Sequence, residues 1–292
     1  MSDKTFKTVK TVLVVLICAL VVTASVCWIC DDAIEKPDDM GDYITFLDVG
    51  QGDSALIKSG KYAALIDTGT ATSGLNIVKK LRKLGIYKLD VLILSHPHDD
   101  HIGGAEFILS ELPVDYIILS DASPRDDENA RCYKDIKDFA TTNSIECYNA
   151  TEGLVINIGN FELTVLMSDE TAEDENNNSI IIMAENSGKK FLFTGDAEAS
   201  AETKLIKDGV NFDCDVLKVG HHGSNSSSTN KFLQIATPTF SVISCGEDNS
   251  YSHPHNEVLQ RLADVNTAVL RTDISGDIKF AIKNGEIVYC NN

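Results

Sequence analysis

All seven histidines of this 292-residue chain fall into three short clusters, and this clustering constrains the possible folds more than any other feature of the sequence. The clusters are His96, His98 and His101, then His221 and His222, then His253 and His255. Histidines that serve only in a core or on a surface have no reason to group in this way. Because imidazole is the most common protein ligand for metals, the pattern predicts a metal site built from more than one segment.

The first cluster follows residues 89–94 (LDVLIL), which are typical of a buried strand. In an extended segment alternate side chains point the same way, so His96 and His98 can bind one cation together. Asp100 and His101 are adjacent, and a turn there can direct both at a second cation. Imidazole and carboxylate ligands suit zinc, and also manganese or iron. The spacing H-x-H-x-D-H therefore predicts two divalent metal ions, with Zn²⁺ or Mn²⁺ as the expected cofactors.

Two later segments end predicted strands with polar residues. Residues 193–196 (FTGD) end with Asp196, whose carboxylate can bridge two metal ions, and residues 219–224 (VGHHGS) present His221 in a glycine-flanked turn. Each segment taken singly also fits ordinary turn chemistry. Because they follow H-x-H-x-D-H in this order, they favour a second half of the same metal site.

Short strand-like runs outnumber helical patterns along residues 42–292, and many are neighbours in sequence. This predicts a layered α/β protein with mostly mixed sheets, folded as one compact unit after a linker over residues 31–41. Strands are predicted at residues 43–49, 55–58, 62–66, 89–94, 117–119, 154–156, 161–166, 179–184, 190–193, 216–219, 240–244, 268–270, 278–282 and 286–289. Helices are predicted from Leu75 onward and at residues 197–207, 230–235 and 256–263, and residues 186–188 (NSG) predict a hairpin turn.

Residues 11–30 (TVLVVLICALVVTASVCWIC) carry no charge and follow Lys4, Lys7 and Lys10. At about 1.5 Å per residue, a helix of this length matches the hydrocarbon core of a bilayer. We expect residues 1–30 to form an uncleaved single-pass anchor in the cell membrane, with the amino terminus inside and the body outside. A signal peptide cleaved near Ala24 and Ser25, with a secreted body, is the alternative.

The chain is acidic, with 25 Lys and Arg against 44 Asp and Glu and a formal net charge of -19. A broad basic face for duplex nucleic acid is therefore not expected. The acidity leaves phosphate chemistry at a bound metal open, because bound cations can dominate the local field.

Five cysteines lie beyond the apolar run: Cys132, Cys147, Cys214, Cys245 and Cys290. An odd number argues against a complete disulfide framework. A Cys132–Cys147 bridge and buried free thiols are both compatible with the sequence.

Seven longer motifs extend along the chain. They are FLDVGQGDSALI at 46–57, ALIDTG at 64–69, LSHPHDDHIGG at 94–104, NNNSIIIM at 176–183, FLFTGDAE at 191–198, LKVGHHGSNSSS at 217–228 and SYSHPHNEVLQRL at 250–262. With these motifs the chain resembles a metallo-β-lactamase-fold hydrolase, specifically the branch found as the soluble domain of ComEC-type DNA-uptake proteins. The resemblance covers nearly everything from Tyr43 to the end. It implies an αβ/βα four-layer sandwich, with two sheets face to face, helices outside and a metal centre at one edge.

The resemblance also implies roles for single residues. His96 and His98 resemble ligands of the first metal ion, Asp100 and His101 ligands of the second, Asp196 the bridging carboxylate, His221 the final histidine ligand, and Asp67 the outer carboxylate that orients the site. Many members carry a further histidine where this chain has residues 176–179 (NNNS). Asn177 is expected to substitute for it, and because an amide is a poorer ligand than imidazole, the first ion is expected to bind more weakly.

Three segments near the predicted site have alternative interpretations. His253, expected with Asp100 to be catalytic, either donates a proton to a leaving oxygen or contacts a phosphate, or it is a surface-loop histidine. His255 is expected to begin the next helix. The serines of residues 223–228 either bind a phosphate or cap a helix, and residues 50–54 (GQGDS) form a tight turn or line the site.

Two metal ions lower the pKa of a bridging water and neutralise developing charge. The expected function is therefore an anchored, extracytoplasmic, metal-dependent hydrolase that uses a metal-activated hydroxide. A phosphodiester is the expected substrate, and the resemblance implies nuclease-like action on external DNA, including single-stranded DNA. The alternatives are hydrolysis of a carboxylic ester, thioester or lactam, against which the NNNS segment counts, and a non-catalytic metal-stabilised binding module. No stable protein partner is expected.

Overall fold

The computed structural model describes residues 41–120, 124, 127–169, 171–172 and 174–290. The predicted anchor and almost all of the predicted linker lie outside the described residues. None of the helices in the described part of the chain combines the length and hydrophobicity that a bilayer crossing needs.

Two mixed β-sheets form the centre of the fold. The first sheet has eight strands in the order β15-β14-β1-β2-β3-β4-β5-β6, and the second has seven in the order β13-β12-β11-β10-β9-β8-β7. The strands are β1 (Asp42–Phe46), β2 (Ala55–Ser59), β3 (Tyr62–Ile66), β4 (Leu89–Leu94), β5 (Val114–Leu119), β6 (Glu146–Asn149), β7 (Val155–Ile158), β8 (Phe161–Met167), β9 (Ile181–Asn186), β10 (Lys189–Phe193), β11 (Val216–Lys218), β12 (Phe240–Ile243), β13 (Ala268–Arg271), β14 (Ile278–Lys283) and β15 (Glu286–Cys290).

Within each sheet a parallel block lies beside antiparallel hairpins. Strands β3 to β6 are parallel in the first sheet, and β10 to β13 are parallel in the second. Because parallel strands present their carboxyl ends at one edge, the loops that follow them collect there.

Eight α-helices accompany the sheets in the described part of the chain. They are α1 (Gly74–Lys83), α2 (Asp99–Ile102), α3 (Ala105–Glu111), α4 (Asp127–Thr142), α5 (Ala199–Lys207), α6 (Asn230–Ala236), α7 (Asn256–Asp264) and α8 (Thr272–Ser275). Buried residues of α1, α3 and α4 share one apolar cluster with the first sheet, and buried residues of α5, α6 and α7 share another with the second. The predicted αβ/βα sandwich is confirmed.

Strand alternation explains why four layers form. In β4, Val91 and Ile93 join the cluster between the two sheets, whereas Leu92 and Leu94 join the cluster under the helices. Successive side chains of a strand point to opposite faces, so a strand that is apolar throughout must be covered on both sides. The run that predicted a buried strand is therefore buried by a sheet on one face and by helices on the other.

The predicted hairpin between β9 and β10 is confirmed, with Ser187 and Gly188 as its two central residues. Both have positive φ, 54° and 76°, which is the backbone of a type I′ turn. The five described cysteines are all free thiols, so the alternative of a Cys132–Cys147 bridge does not apply.

Candidate metal centre

Loops from both sheets meet at the edge where the parallel strands end. The loops after β3 and β4 carry Asp67 and the first histidine cluster, and the loops after β10, β11 and β12 carry Asp196, the histidine pair and His253. They line a cleft of about 630 Å³. Each sheet therefore supplies one half of the candidate site.

His96 and His98 form one converging pair. His96 Nε2 lies 3.1 Å from His98 Nδ1. His98 Nε2 lies 2.9 Å from Glu175 Oε2, and His96 Nδ1 lies 3.1 and 3.3 Å from the hydroxyls of Ser95 and Ser179. Since a carboxylate accepts hydrogen bonds, His98 donates from Nε2 and keeps a lone pair on Nδ1, the nitrogen that faces His96.

His101 and His222 form a second pair, with their Nε2 atoms 3.3 Å apart. His101 Nδ1 donates to Asp67 Oδ2 (2.8 Å), and His222 Nδ1 donates to the carbonyl of Ser244 (2.9 Å). An outer acceptor of this kind fixes the tautomer, so both Nε2 atoms can present lone pairs to one point. Asp67 thus contacts the His101 nitrogen that points away from His222, and its orienting role stays a prediction.

Asp196 lies between the two pairs. Its Oδ1 is 3.2 Å from His101 Nε2, and its Oδ2 is 3.4 Å from His222 Nε2 and 3.9 Å from His96 Nε2. Asp100 approaches the second pair, with Oδ2 3.2 Å from His222 Nε2. A carboxylate between two pairs of imidazoles has the position that a bridging ligand requires.

His221 reaches the same carboxylate from a different direction. Its Nε2 is 3.7 Å from Asp196 Oδ2, and its Nδ1 is 3.1 Å from Glu198 Oε1. The next residue, His222, is only 1% exposed and was not predicted as a site residue. Both histidines have positive φ, 49° and 52°, which turns consecutive side chains toward the centre.

Asp53 is a further carboxylate, and it lies in residues 50–54, for which the sequence left a tight turn and a site-lining role as alternatives. One ligand atom each from Asp53, His101, Asp196 and His222 lies within 4.8 Å of the others. Asp53 Oδ2 is 2.6 Å from Lys218 Nζ. Burial alone would raise the pKa of Asp53, but Lys218 and His222 outweigh burial and lower that pKa to about 2.

The carboxylates and imidazoles at the centre shift one another's pKa values. Burial raises the pKa of the Asp100 and Asp196 carboxyls, but His222 and His101 outweigh it and lower both values. Burial lowers the pKa of the His101 and His222 imidazoles, but Asp196 with its neighbouring carboxylates outweighs it and raises both values. The ionised carboxylates at the centre are therefore stabilised by positive charge between them.

The donor set fits divalent metal ions. The Oδ1 atoms of Asp53 and Asp196 are buried and have no hydrogen-bond donor among the described residues. A buried carboxylate oxygen without a partner is costly unless a cation compensates it. With the two converging imidazole pairs, the Asp196 carboxylate forms a set of N and O ligands suited to zinc or manganese, and the Asp53 carboxylate adds negative charge beside it.

A sequence model of the Metallo-beta-lactamase superfamily matches residues 47–247, which include Asp53 and every ligand candidate described above. The chain belongs to this superfamily. ComE operon protein 3 of Bacillus subtilis (strain 168) is 32% identical over 264 residues, covering 82% of this chain and 33% of that protein. Competence protein ComA of Neisseria gonorrhoeae is 33% identical over 246 residues, covering 84% of this chain and 33% of that protein. The similarity to ComEC-type competence proteins is thereby confirmed.

The chain spans about a third of the length of these curated relatives. Among solved structures, the metallo-beta-lactamase fold protein YhfI from Bacillus subtilis superposes with a TM-score of 0.54 at 15% identity, covering 82% of this chain and 99% of that chain. At that identity the likeness shows the metallo-beta-lactamase fold alone.

Asn177, the residue expected to replace the missing superfamily histidine, makes a different set of contacts. Its Oδ1 accepts hydrogen bonds from the backbone N–H groups of Glu198 (3.1 Å) and Ala201 (3.2 Å). These contacts satisfy free N–H groups at the start of α5, the helix that follows Glu198. Asn177 thus stabilises the segment whose Glu198 contacts His221.

His253 lines the cleft and stacks against Tyr251, with ring centroids 5.6 Å apart. Its Nδ1 is buried and has no hydrogen-bond partner among the described residues. Burial and the neighbouring His222 and His221 lower the pKa of His253 to about 4. This shift disfavours the imidazolium form of His253, and its predicted catalytic role stays a prediction.

The remaining alternatives concern His255 and the serine-rich segment. His255 precedes α7, as expected, and its Nδ1 accepts from the backbone N–H of Asn225 (3.0 Å). Ser227 donates to the carbonyl of Ala197 (2.8 Å), and the hydroxyl of Thr229 accepts from Phe232 N at the start of α6. Ser227 therefore has a structural contact, whereas the residue that caps α6, Thr229, lies just after the serine segment.

Proposed function

We propose that this chain is a dinuclear metal-dependent phosphodiesterase whose catalytic body faces the outside of the cell membrane. The observation that supports it is the arrangement of two converging imidazole pairs, His96 with His98 and His101 with His222, on either side of Asp196. Two divalent cations held there would lower the pKa of a water molecule and polarise a phosphoryl oxygen.

In this proposal the histidine pair after β11 is divided between the two ions. His96, His98 and His221 would hold the first ion, Asp100, His101 and His222 would hold the second, and Asp196, which lies between the two groups, would serve both. His221 then takes the place of the histidine that residues 176–179 lack. The first ion then needs no amide ligand. We therefore expect the two ions to bind with comparable affinities, and not the first ion more weakly.

The surrounding carboxylates orient these ligands. Asp67, Glu175 and Glu198 each contact the nitrogen of an imidazole that points away from the centre. Removal of such an outer partner typically weakens metal affinity by about 10–100-fold. His253 is left to contact the substrate from the opposite wall of the cleft.

The choice of a phosphodiester rests on the similarity to competence proteins and on the donor set. A nucleic-acid strand carries phosphodiesters, and a centre rich in carboxylates can attract one only through its bound cations. The chain as a whole is acidic, so we expect the protein to contact only a few nucleotides at the cleft and not to bind nucleic acid through a broad basic surface.

An activity screen of the full chain in detergent, reconstituted with zinc or manganese, tests this proposal. We expect turnover of a bis-aryl phosphodiester and of single-stranded DNA, and no turnover of a lactam. The Asp196→Ala variant purified in parallel controls for contaminating nucleases. Lactam turnover without phosphodiester turnover would contradict the proposal.

The location is a separate proposal, supported by the uncharged run at residues 11–30 and the lysines before it. We expect protease added to intact cells to degrade the body while a cytoplasmic marker protein survives. A body that stays intact until the cells are lysed contradicts the proposed orientation.

A further inference from the structure

The proposed metal centre requires the two sheets to keep a fixed relative position. The first sheet supplies His96, His98, Asp100 and His101, and the second supplies Asp196, His221 and His222. A small shift between the sheets would separate the two halves, and displacements near 1 Å are enough to impair a catalytic site.

A buried ion pair joins the sheets directly behind this centre. Lys218 ends β11 in the second sheet, and Asp53 lies between β1 and β2 of the first. The Lys218 Nζ donates to Asp53 Oδ2 (2.6 Å) and to the carbonyl of Val219 (2.9 Å). Both residues are at most 5% exposed, so each charge depends on the other for compensation.

Each partner is attached closely to metal-binding residues of its own sheet. Lys218 precedes His221 and His222 by only three and four positions. The Asp53 backbone N–H donates to the carbonyl of Asp100 (3.0 Å), and its carbonyl accepts from Gly69 N (2.8 Å). The ion pair therefore connects the segment of Asp100 to the segment of His222.

The turn before Asp53 is built for this close approach. Gly52 has a φ of 135°, and a Cβ placed there would lie 2.4 Å from the Asp100 carbonyl oxygen. No residue other than glycine fits without moving the Asp100 segment. The motif GQGDS is therefore both the tight turn and the site-lining element that the sequence left as alternatives.

Asp53 approaches the imidazoles from behind. Its Oδ1 is 3.4 Å from His222 Nδ1 and its Oδ2 is 4.0 Å from His101 Nδ1, whereas the two Nε2 atoms converge on the other side of the rings. Its second oxygen already accepts from Lys218. This geometry is that of a residue that orients ligands, and not of a ligand.

We propose that Asp53 and Lys218 form a cross-sheet ion pair that positions His222 and Asp100 for the second metal ion. The inference rests on the proposed function only for the existence of two ions. The loss of either partner should weaken the second ion selectively, because Asp53 contacts Asp100, His101 and His222, which are the residues assigned to that ion.

The test measures metal affinity in the full chain by calorimetry and by the electron paramagnetic resonance signal of Mn²⁺. Lys218→Met and Asp53→Asn should each weaken the second ion by roughly 10–100-fold and change the first by less than about threefold. The double variant D53N/K218M removes both charges and leaves neither one unpaired. Its fold-loss of affinity for the second ion should therefore be smaller than the product of the fold-losses in the two single variants. Lys190→Met is the matched control. Lys190 lies on the neighbouring strand β10, at the end opposite to Asp196, and pairs with Asp213 away from the centre.

Three results overturn the inference. Unchanged affinities in both single variants exclude a positioning role. Equal weakening of both ions indicates a general structural role. Complete loss of one ion in D53N, with K218M normal, makes Asp53 a ligand. If K218M fails to fold, the neutral double variant replaces it, and the inference is judged by whether that variant weakens the second ion more than the first. Because the test measures metal affinity, a lack of phosphodiester turnover contradicts only the proposed function.

Discussion

Replacing Asp196 by alanine is expected to lower the rate of phosphodiester hydrolysis by at least ~100-fold, because activation of the nucleophile and stabilisation of charge each contribute several kcal/mol. Asp196 is the one side chain placed within 4 Å of imidazole nitrogens from His96, His101, His221 and His222 in the described structure. The measurement is kcat on a bis-aryl phosphodiester, with metal content determined on the same samples.

Asp208→Ala is the matched control for this loss. Asp208 lies at the end of α5 and makes an exposed ion pair with Lys204 at 3.0 Å, far from any imidazole contact, so its removal should change the rate by less than about twofold. An Asp196→Ala enzyme that retains both its metal and most of its activity would show that this carboxylate does not bridge the ions.

The second large effect is the loss of single ions from paired variants. His96→Ala with His98→Ala should reduce the bound metal from about two ions per chain to about one, since that pair converges on one point. His101→Ala with His222→Ala should remove the other ion. Elemental analysis after dialysis, with a chelator of known affinity, measures both.

His255→Ala serves as the control for these variants, because His255 belongs to the third cluster but binds a backbone N–H outside the centre. It should retain both ions. If either paired variant loses both ions at once while folding normally, the two sites are not separable and the division of His221 and His222 between them is wrong.

The candidate site was partly predictable because its ligands lie close together in sequence. His96, His98 and His101 follow one buried strand, and strand alternation is enough to pair the first two. The sandwich was likewise accessible, since apolar runs such as residues 89–94 require cover on both faces. The spacing of residues along the chain was therefore enough to predict the first half of the site.

The second half depends on geometry that spacing does not reveal. His221 and His222 both face the centre because both residues have positive φ, and the sequence predicted only His221 as a ligand. The doubled histidine itself was the available signal. Asp53, Glu175 and Glu198 were missed because acidic residues in turns are common, and only the fold brings them to the imidazoles.

Asn177 shows the opposite case, in which a resemblance directed attention to the correct segment but to a different role. Sequence alignment of motifs finds the position of a missing histidine but not the contacts of the residue that replaces it. The amide oxygen of Asn177 is engaged by backbone N–H groups at the start of α5. Short elements such as β6, exposed along its length, escaped prediction because they lack a continuous apolar pattern.

Counting the metal ions bound by the full chain tests the central claim most directly. The protein is stripped with a chelator, reconstituted separately with zinc and with manganese, dialysed and subjected to elemental analysis. We expect close to two ions per chain with at least one of these metals. A folded protein that binds none after both reconstitutions would contradict the assignment of this edge of the sandwich as a metal centre.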